Sequence, residues 1–282
     1  MKTGIYAMDA ERYHSDPTDA PSLSYSIAKI LLDQSPKHAW MAHPKLNPHY
    51  QPDEDSRFDL GSAAHALLLE QSDANLVVID AADWRTKAAK EARDAAREAG
   101  KMPVLARHAA AIRKMVGAAQ DFIAASPLRG VWQSGKPEQT VIWQDEGVSC
   151  RSRLDWLTND RALILDYKTT ASANPDVFGR QIAGMGYDLQ AAFYSSGLIA
   201  NGCEEPHFVF LAQEIEPPYA CSLVELHSSY MEIAYAKYTR AVNLWRECVA
   251  RNDWPAYSTN ITTALPPSWA MMKHETEMLG EE

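Results

Sequence analysis

The chain has 282 residues, with 27 Lys and Arg against 37 Asp and Glu for a formal net charge of −10. Its 46% hydrophobic and 23% charged content is that of a folded protein with a sizeable core, and excludes a mainly disordered chain. No apolar run reaches the ~18 residues of a membrane span, and the opening residues lack the apolar segment of a secretion signal. Cys150, Cys203, Cys221 and Cys248 form no CxxC pair, which predicts a reduced, cytoplasmic protein without structural zinc or an iron–sulfur cluster. The acidic balance alone argues against a nucleic-acid partner, whose electrostatic footprint is usually basic.

No repeat divides the chain, so one compact unit over 1–270 is expected, with an N-terminal helical part at about 23–125. Residues 1–22, broken by Pro17 and Pro21, read as an irregular arm. Ser24 or Ser26 is placed to cap a helix through about His43. A loop through Pro44, Pro48, Pro52 and Asp53-Glu-Asp55 follows, then helices at Asp59–Gln71, 85–99 and Ala106–Ala125. From Glu138 the period changes to two, giving strands at Gln139–Trp143, Val148–Leu157 and Ala162–Lys168. Helices near Asp176–Ala183 and Asp188–Ile199, strands at His207–Gln213 and Ala220–Leu226, and a long helix over Ser229–Ala250 complete the pattern. The end reads as loop, with 271–282 a disordered acidic tail, and the eight Trp read as packing residues. Helices, a meander and helices again predict a mixed α/β (α+β) protein with a central mixed sheet.

The chemistry concentrates in Ser152-Arg-Leu-Asp155 and Leu163-Ile-Leu-Asp166-Tyr-Lys168. Asp166 and Lys168, two apart in a strand, share a face. If the turn Thr158–Arg161 pairs Leu157 with Ala162, Asp155 lies opposite Ile164 and diagonal to Asp166, roughly 7–8 Å away, close enough to share one metal. The same register carries Glu138 opposite Arg153, so Glu138, Asp155, Asp166 and Lys168 converge on one face. A one-residue slip would scatter them. Acids crowded on apolar strands call for a divalent cation, and their oxygens suit Mg²⁺ or Mn²⁺. The same string also fits a solvated strand face carrying an ordinary ion pair.

Asp155 followed some ten residues later by Asp166-Tyr-Lys168 resembles the PD-(D/E)xK nucleases. Gly61-x-x-x-His65 upstream and Gln190-Ala-Ala-Phe-Tyr194 downstream resemble the RecB-type branch. Ser24-Tyr-Ser26, Ser35-Pro-Lys-His-Ala-Trp40, Asp83–Lys90, Trp254-Pro-Ala-Tyr257 and Leu265-Pro-Pro-Ser-Trp269 extend the likeness to RecE-type exonuclease domains over nearly the whole chain. The "PD" position is Leu154-Asp155, and the cysteine cluster of the iron–sulfur members is missing. The resemblance implies a restriction-endonuclease-like core in which Asp155, Asp166, His65 and the Tyr167 carbonyl hold Mg²⁺ (or Mn²⁺) and Lys168 positions the attacking water. It also implies Gln190 and Tyr194 beside the lysine or the DNA backbone, and 5′-to-3′ digestion of linear duplex DNA. The remaining 3′ strand would pass to a single-strand annealing protein, in a phage or prophage setting, with a ring-shaped homo-oligomer as the assembly and no membrane partner. An endonuclease of the same superfamily, and a non-catalytic DNA- or partner-binding protein, are the alternatives.

Arg151 and Arg153 share the Asp155 face and fit either phosphate or the acids Glu138 and Asp155. Residues 85–114 carry nine Lys and Arg against three acids. Lys87, Lys90, Arg93, Arg97 and Lys101 fall within an arc of about 120° on a helix, a stripe suited to DNA phosphates. The negative total therefore conceals a basic track, and the distribution of charge reopens the nucleic-acid reading that the total had closed.

Overall fold

The computed structural model describes residues 1–51, 60–70 and 75–279; the expected loop at Pro52 and Asp53–Asp55, and the helix ends at Asp59 and Gln71, lie outside them. In chain order the elements are β1 (Gly4–Ala7), α1 (Ala10–His14), β2 (Leu23–Ser24), α2 (Tyr25–Asp33), α3 (Pro36–Met41) and α4 (Leu60–Glu70). Then come β3 (Leu76–Ile79), α5 (Lys87–Glu98), β4 (Met102–Leu105), α6 (Ala106–Ala125), β5 (Gly135–Asp145), β6 (Val148–Thr158) and β7 (Leu163–Thr170). The last third holds α7 (Pro175–Met185), α8 (Tyr187–Ala200), β8 (His207–Glu214), β9 (Cys221–Glu225), α9 (Ser228–Arg251) and α10 (Ser268–Leu279). Among the described residues no helix is long and apolar enough to cross a membrane.

The expected mixed sheet is present, in the order β1-β5-β6-β7-β8-β9, with β2 on β6. β7 and β8 run parallel, as do β2 and β6, and the other pairs are antiparallel. One face of the sheet, with Trp143, Ile164 and Phe210, packs under α2, α7, α8 and α9; the other, with Trp156, Leu165 and Tyr167, packs under α4 and α6. α8 is buried nearly all round and lies close to the sheet because Gly197 faces Trp143, where a Cβ would stand 2.8 Å from the indole. That depth places Gln190 and Tyr194 in the interior.

Several expectations shift. The arm is not irregular: β1 zips onto β5 and α1 caps on Asp9. The helix over 24–43 divides into α2, capped by Ser24, and α3, capped by Ser35, because the residue before Pro36 is driven out of helical geometry. β3 and β4 form a small parallel sheet unread in the sequence; Pro103 signalled a break, yet a two-stranded ladder tolerates it. The tail, expected disordered, is helical through Ser268–Leu279, and Trp269 is exposed on it rather than packed.

The β6–β7 register differs by two residues: Leu157 pairs with Ile164 and Trp156 with Leu165, because the turn is longer than expected. β5 and β6 slip likewise, pairing Thr140 with Arg153 across a tight turn in which Glu146 and Gly147 both take positive φ. An even slip leaves every side chain on its face. The face assignment read from the pattern thus does not depend on this difference in register.

Candidate active site

The β6–β7 ladder covers only two residue pairs, while β6 runs back to Val148 on β5 and β7 runs on to Thr170 along β8. The sheet therefore forks beyond Trp156–Leu165, and β2 takes the edge of β6 that β7 leaves. Asp155 stands at the fork, its Oδ2 accepting the Tyr167 main-chain N–H at 2.9 Å. Continuing the ladder sets Asp155 across from Asp166 on one side and Glu138 on the other. Glu138 itself drops out of the β5–β6 pairing with φ of 54°, between Pro137–Trp156 and Gln139–Leu154. A non-glycine residue held there costs about 1–2 kcal/mol, and such strain tends to collect at functional sites.

His65 arrives from α4. Gly61, one turn earlier, lets that helix rest on β7: a Cβ on it would stand 2.3 Å from Thr169 Oγ1. His65 Nε2 then lies 3.0 Å from Asp155 Oδ2, and its Nδ1 4.0 Å from Glu138 Oε1. The imidazole stacks on the Tyr167 ring at 5.9 Å. That ring is fixed in turn, because its hydroxyl donates to Gln213, whose amide donates to Met115 O (2.8 Å) and Tyr219 O (3.2 Å).

Asp166 is fully buried; Lys168 Nζ contacts its Oδ1, and Gln190 Nε2 donates to its Oδ2 at 2.8 Å. Gln190, which the resemblance set beside the lysine or the DNA, holds the carboxylate that Lys168 contacts. Tyr194 is buried one helical turn on and lines the cleft. Arg153 pairs with Glu138 and donates to Met8 O at 2.7 Å.

Arg151 does not join them. It is buried among the arm residues, donating to Ser22 O (2.9 Å) and Ser22 Oγ (2.6 Å) with Asp16 at 3.4 Å, so a phosphate cannot reach it. Lys87, Lys90 and Arg97 project from α5 into solvent, and Arg93 pairs with Asp94. α5 packs on the small β3–β4 sheet rather than among the cleft residues.

The cleft holds about 430 Å³. His65, Glu138, Arg153, Asp155 and Tyr194 line one part of it; Ala10, Tyr13 and His14 of α1, with Tyr25 and Ser26 of α2, line the other. The α1 wall was invisible in the sequence, since only a long-range fold-back brings residues 10–14 to the site.

Electrostatically the site sets three acids against three cations, Asp155 against His65, Asp166 against Lys168 and Glu138 against Arg153. Burial, with Asp155 as neighbour, pushes the Asp166 carboxyl up to about 7 against the pull of Lys168. Burial opposes the charge on His65, but Asp155, Glu138 and Asp166 hold it up at about 9. Burial also raises Glu138, while Asp155 lies below its ordinary value because His65, Lys168 and the Tyr167 N–H outweigh its desolvation. Among the described residues no three His, Cys, Asp or Glu side chains stand at the spacing of a metal cage. Asp155 is closed onto His65 and Asp166 onto Lys168, two cations occupying the carboxylates. These buried carboxylates are nonetheless the hard-oxygen donors of Mg²⁺ or Mn²⁺, and a divalent ion fits the countercharge role that His65 and Lys168 fill.

A forked mixed sheet between helical layers, carrying Asp155 and Asp166-x-Lys168 at the fork, defines the PD-(D/E)xK nuclease class. The chain belongs to the family described as a PDDEXK-like domain of unknown function (DUF3799), which matches residues 24–264. Among solved structures it is similar to a candidate exonuclease from Eubacterium rectale: 15% identity, TM-score 0.60, 95% of this chain and 98% of the other. A phage related exonuclease from Haemophilus somnus 129PT matches at 15% identity over 68% of this chain and 95% of the other, with a TM-score of 0.28. At this identity the first likeness shows the fold alone. No curated protein matches the sequence.

Proposed function

We propose that the protein is a metal-dependent deoxyribonuclease, acting 5′ to 3′ on linear duplex DNA and leaving 3′ single strands for recombination. The observation that carries the hydrolase reading is the meeting of Asp155, Asp166 and Lys168 at the fork with His65 delivered from α4. Asp155, Asp166, His65 and the Tyr167 carbonyl are the residues to hold Mg²⁺ or Mn²⁺, with Glu138 near enough to act through water. Such an ion supplies charge neutralisation at the phosphate and a more acidic bound water. Lys168 positions the attacking water. Gln190 fixes the direction of the Asp166 carboxylate, and the products carry 5′-phosphate and 3′-hydroxyl ends.

Arg153 and Tyr194, at the cleft wall, and the basic face of α5 are the candidate contacts to the DNA backbone. Linear ends as substrate, 5′ polarity, an annealing protein as user of the product and a ring-shaped homo-oligomer rest on the likeness to RecE-type exonucleases. The test is digestion of linear duplex labelled at the 5′ or the 3′ end, beside closed circular duplex, with Mg²⁺, Mn²⁺ or chelator. Early release of the 5′ label, an intact circle and silence in chelator are expected. Cutting of the circle would replace the exonuclease with an endonuclease, and no hydrolysis under any ion would leave a DNA-binding protein.

A further inference from the structure

Lys168 needs an anchor that a flexible four-carbon stem cannot supply by itself. Asp166 contacts its ammonium, but Asp166 is also a candidate metal ligand, and a carboxylate committed to a cation grips a second cation less firmly. A further partner is an aromatic face: Lys168 Nζ lies 5.1 Å from the centroid of the Tyr187 ring. An ammonium over an aromatic face is attracted by the ring quadrupole, without competing for the metal's oxygen donors.

The ring is held in place. Tyr187 is the first residue of α8, entered through Gly186 at φ of 75°, a left-handed turn that swings the chain from α7 into α8. Phe178 stacks on it (5.9 Å, 26° between planes), and Phe210 packs against it at 5.7 Å. Both phenylalanines are buried, and Phe210 pairs in register with Asp166. The half-buried ring is therefore packed against the core under α7 and α8 and does not follow the lysine.

We propose that Tyr187 is a positioning residue that seats the Lys168 ammonium through its ring face. The proposal rests on the nuclease reading for its kinetic consequence, though not for the contact itself. Replacing the ring by an aliphatic side chain, Tyr187→Leu, is expected to lower kcat roughly 3- to 30-fold, with KM for DNA little changed. Tyr187→Phe, which keeps the ring, is expected to restore most of it. Because Tyr187→Leu also removes packing on Phe178 and Phe210, progressively fluorinated phenylalanines at 187 supply the shape-matched series. Their weakening quadrupole should lower log kcat stepwise, whereas a purely structural role would leave it flat.

Independently of activity, the Lys168 side-chain methylene protons of the metal-free protein should resonate upfield through the ring current and move downfield in Tyr187→Leu. A flat fluorination series in an active enzyme, or Lys168 protons indifferent to Tyr187→Leu, would overturn the proposal. If the unsubstituted protein hydrolyses no DNA, the nuclease reading fails, and the proton shifts still decide whether Tyr187 seats Lys168.

Discussion

At the scale of single residues, the site depends on partners that touch no substrate. Asp166 lies in the interior with Lys168 on one oxygen and Gln190 on the other. Gln190→Ala removes the only side-chain amide holding the second oxygen among the described contacts, and the carboxylate becomes free to rotate about its last torsion. Supporting groups of this kind typically contribute 10- to 100-fold in metal affinity or activity. Gln190→Ala is therefore expected to lower Mg²⁺-dependent hydrolysis by about 10- to 100-fold and to raise the Mg²⁺ concentration at half-maximal rate. Titrating Mg²⁺ at saturating DNA checks both. A variant with an unchanged Mg²⁺ profile would remove Gln190 from the machinery and make it a packing residue of α8.

At the scale of elements, α4 and β7 must nearly touch for His65 to meet Asp155. Gly61→Ala would place a Cβ 2.3 Å from Thr169 Oγ1 and 3.2 Å from its Cβ, so Thr169 must turn aside or the helix must back away. Overpacking of this kind costs about 1–3 kcal/mol, of which the better helix propensity of Ala offsets up to about 1. The expected outcome is a modestly less stable protein that has lost most of its activity, with partial rescue by Thr169→Ala in the same chain. Denaturant midpoints and hydrolysis rates of the single and double variants check it; full activity in Gly61→Ala would show that His65 has slack. The Gly61–His65 spacing was legible in the sequence, as were Asp155 and Asp166-x-Lys168, because each is a local pattern whose face is fixed by parity or by the helical turn. The strand register was not, since turn length decides it, but a slip of two preserves faces. Arg151 was misread for the opposite reason: its strand face was right, and the partners that bury it, Asp16 and Ser22, lie more than a hundred residues away in the chain.

At the scale of the whole molecule, the N-terminal arm closes over the site and one buried knot holds it there. Asp16, in the left-handed region at φ of 61°, accepts from Thr18 Oγ1 (2.6 Å), Ser22 N (2.9 Å) and Ser22 Oγ (2.8 Å). His43 and Arg151 stand 3.3 and 3.4 Å from its Oδ2. The knot joins the arm, the segment after α3 and β6, and so seats α1, whose Tyr13 and His14 wall the cleft. Burial works to raise the Asp16 carboxyl, but His43, the Arg151 charge, Thr18 and Ser22 prevail and hold it well below the ordinary carboxylate range. A carboxyl depressed in the folded state contributes stability above its unfolded pKa, about 3.9, and loses it progressively as pH falls toward the folded value. Asp16→Asn keeps the shape and tolerates positive φ, yet removes the charge opposite Arg151; breaking a buried pair this way costs up to about 3–5 kcal/mol. At pH 7 the variant should therefore unfold at lower denaturant and bind DNA with a higher KM, because α1 loosens. On acidification from pH 5 to pH 3 the wild-type midpoint should fall toward the variant's, since the unfolded chain takes up a proton at Asp16 that the folded knot, still ionised, does not. Midpoints separated by a constant interval across that range would mean that the knot holds the arm by shape and hydrogen bonds, and that its charge contributes nothing.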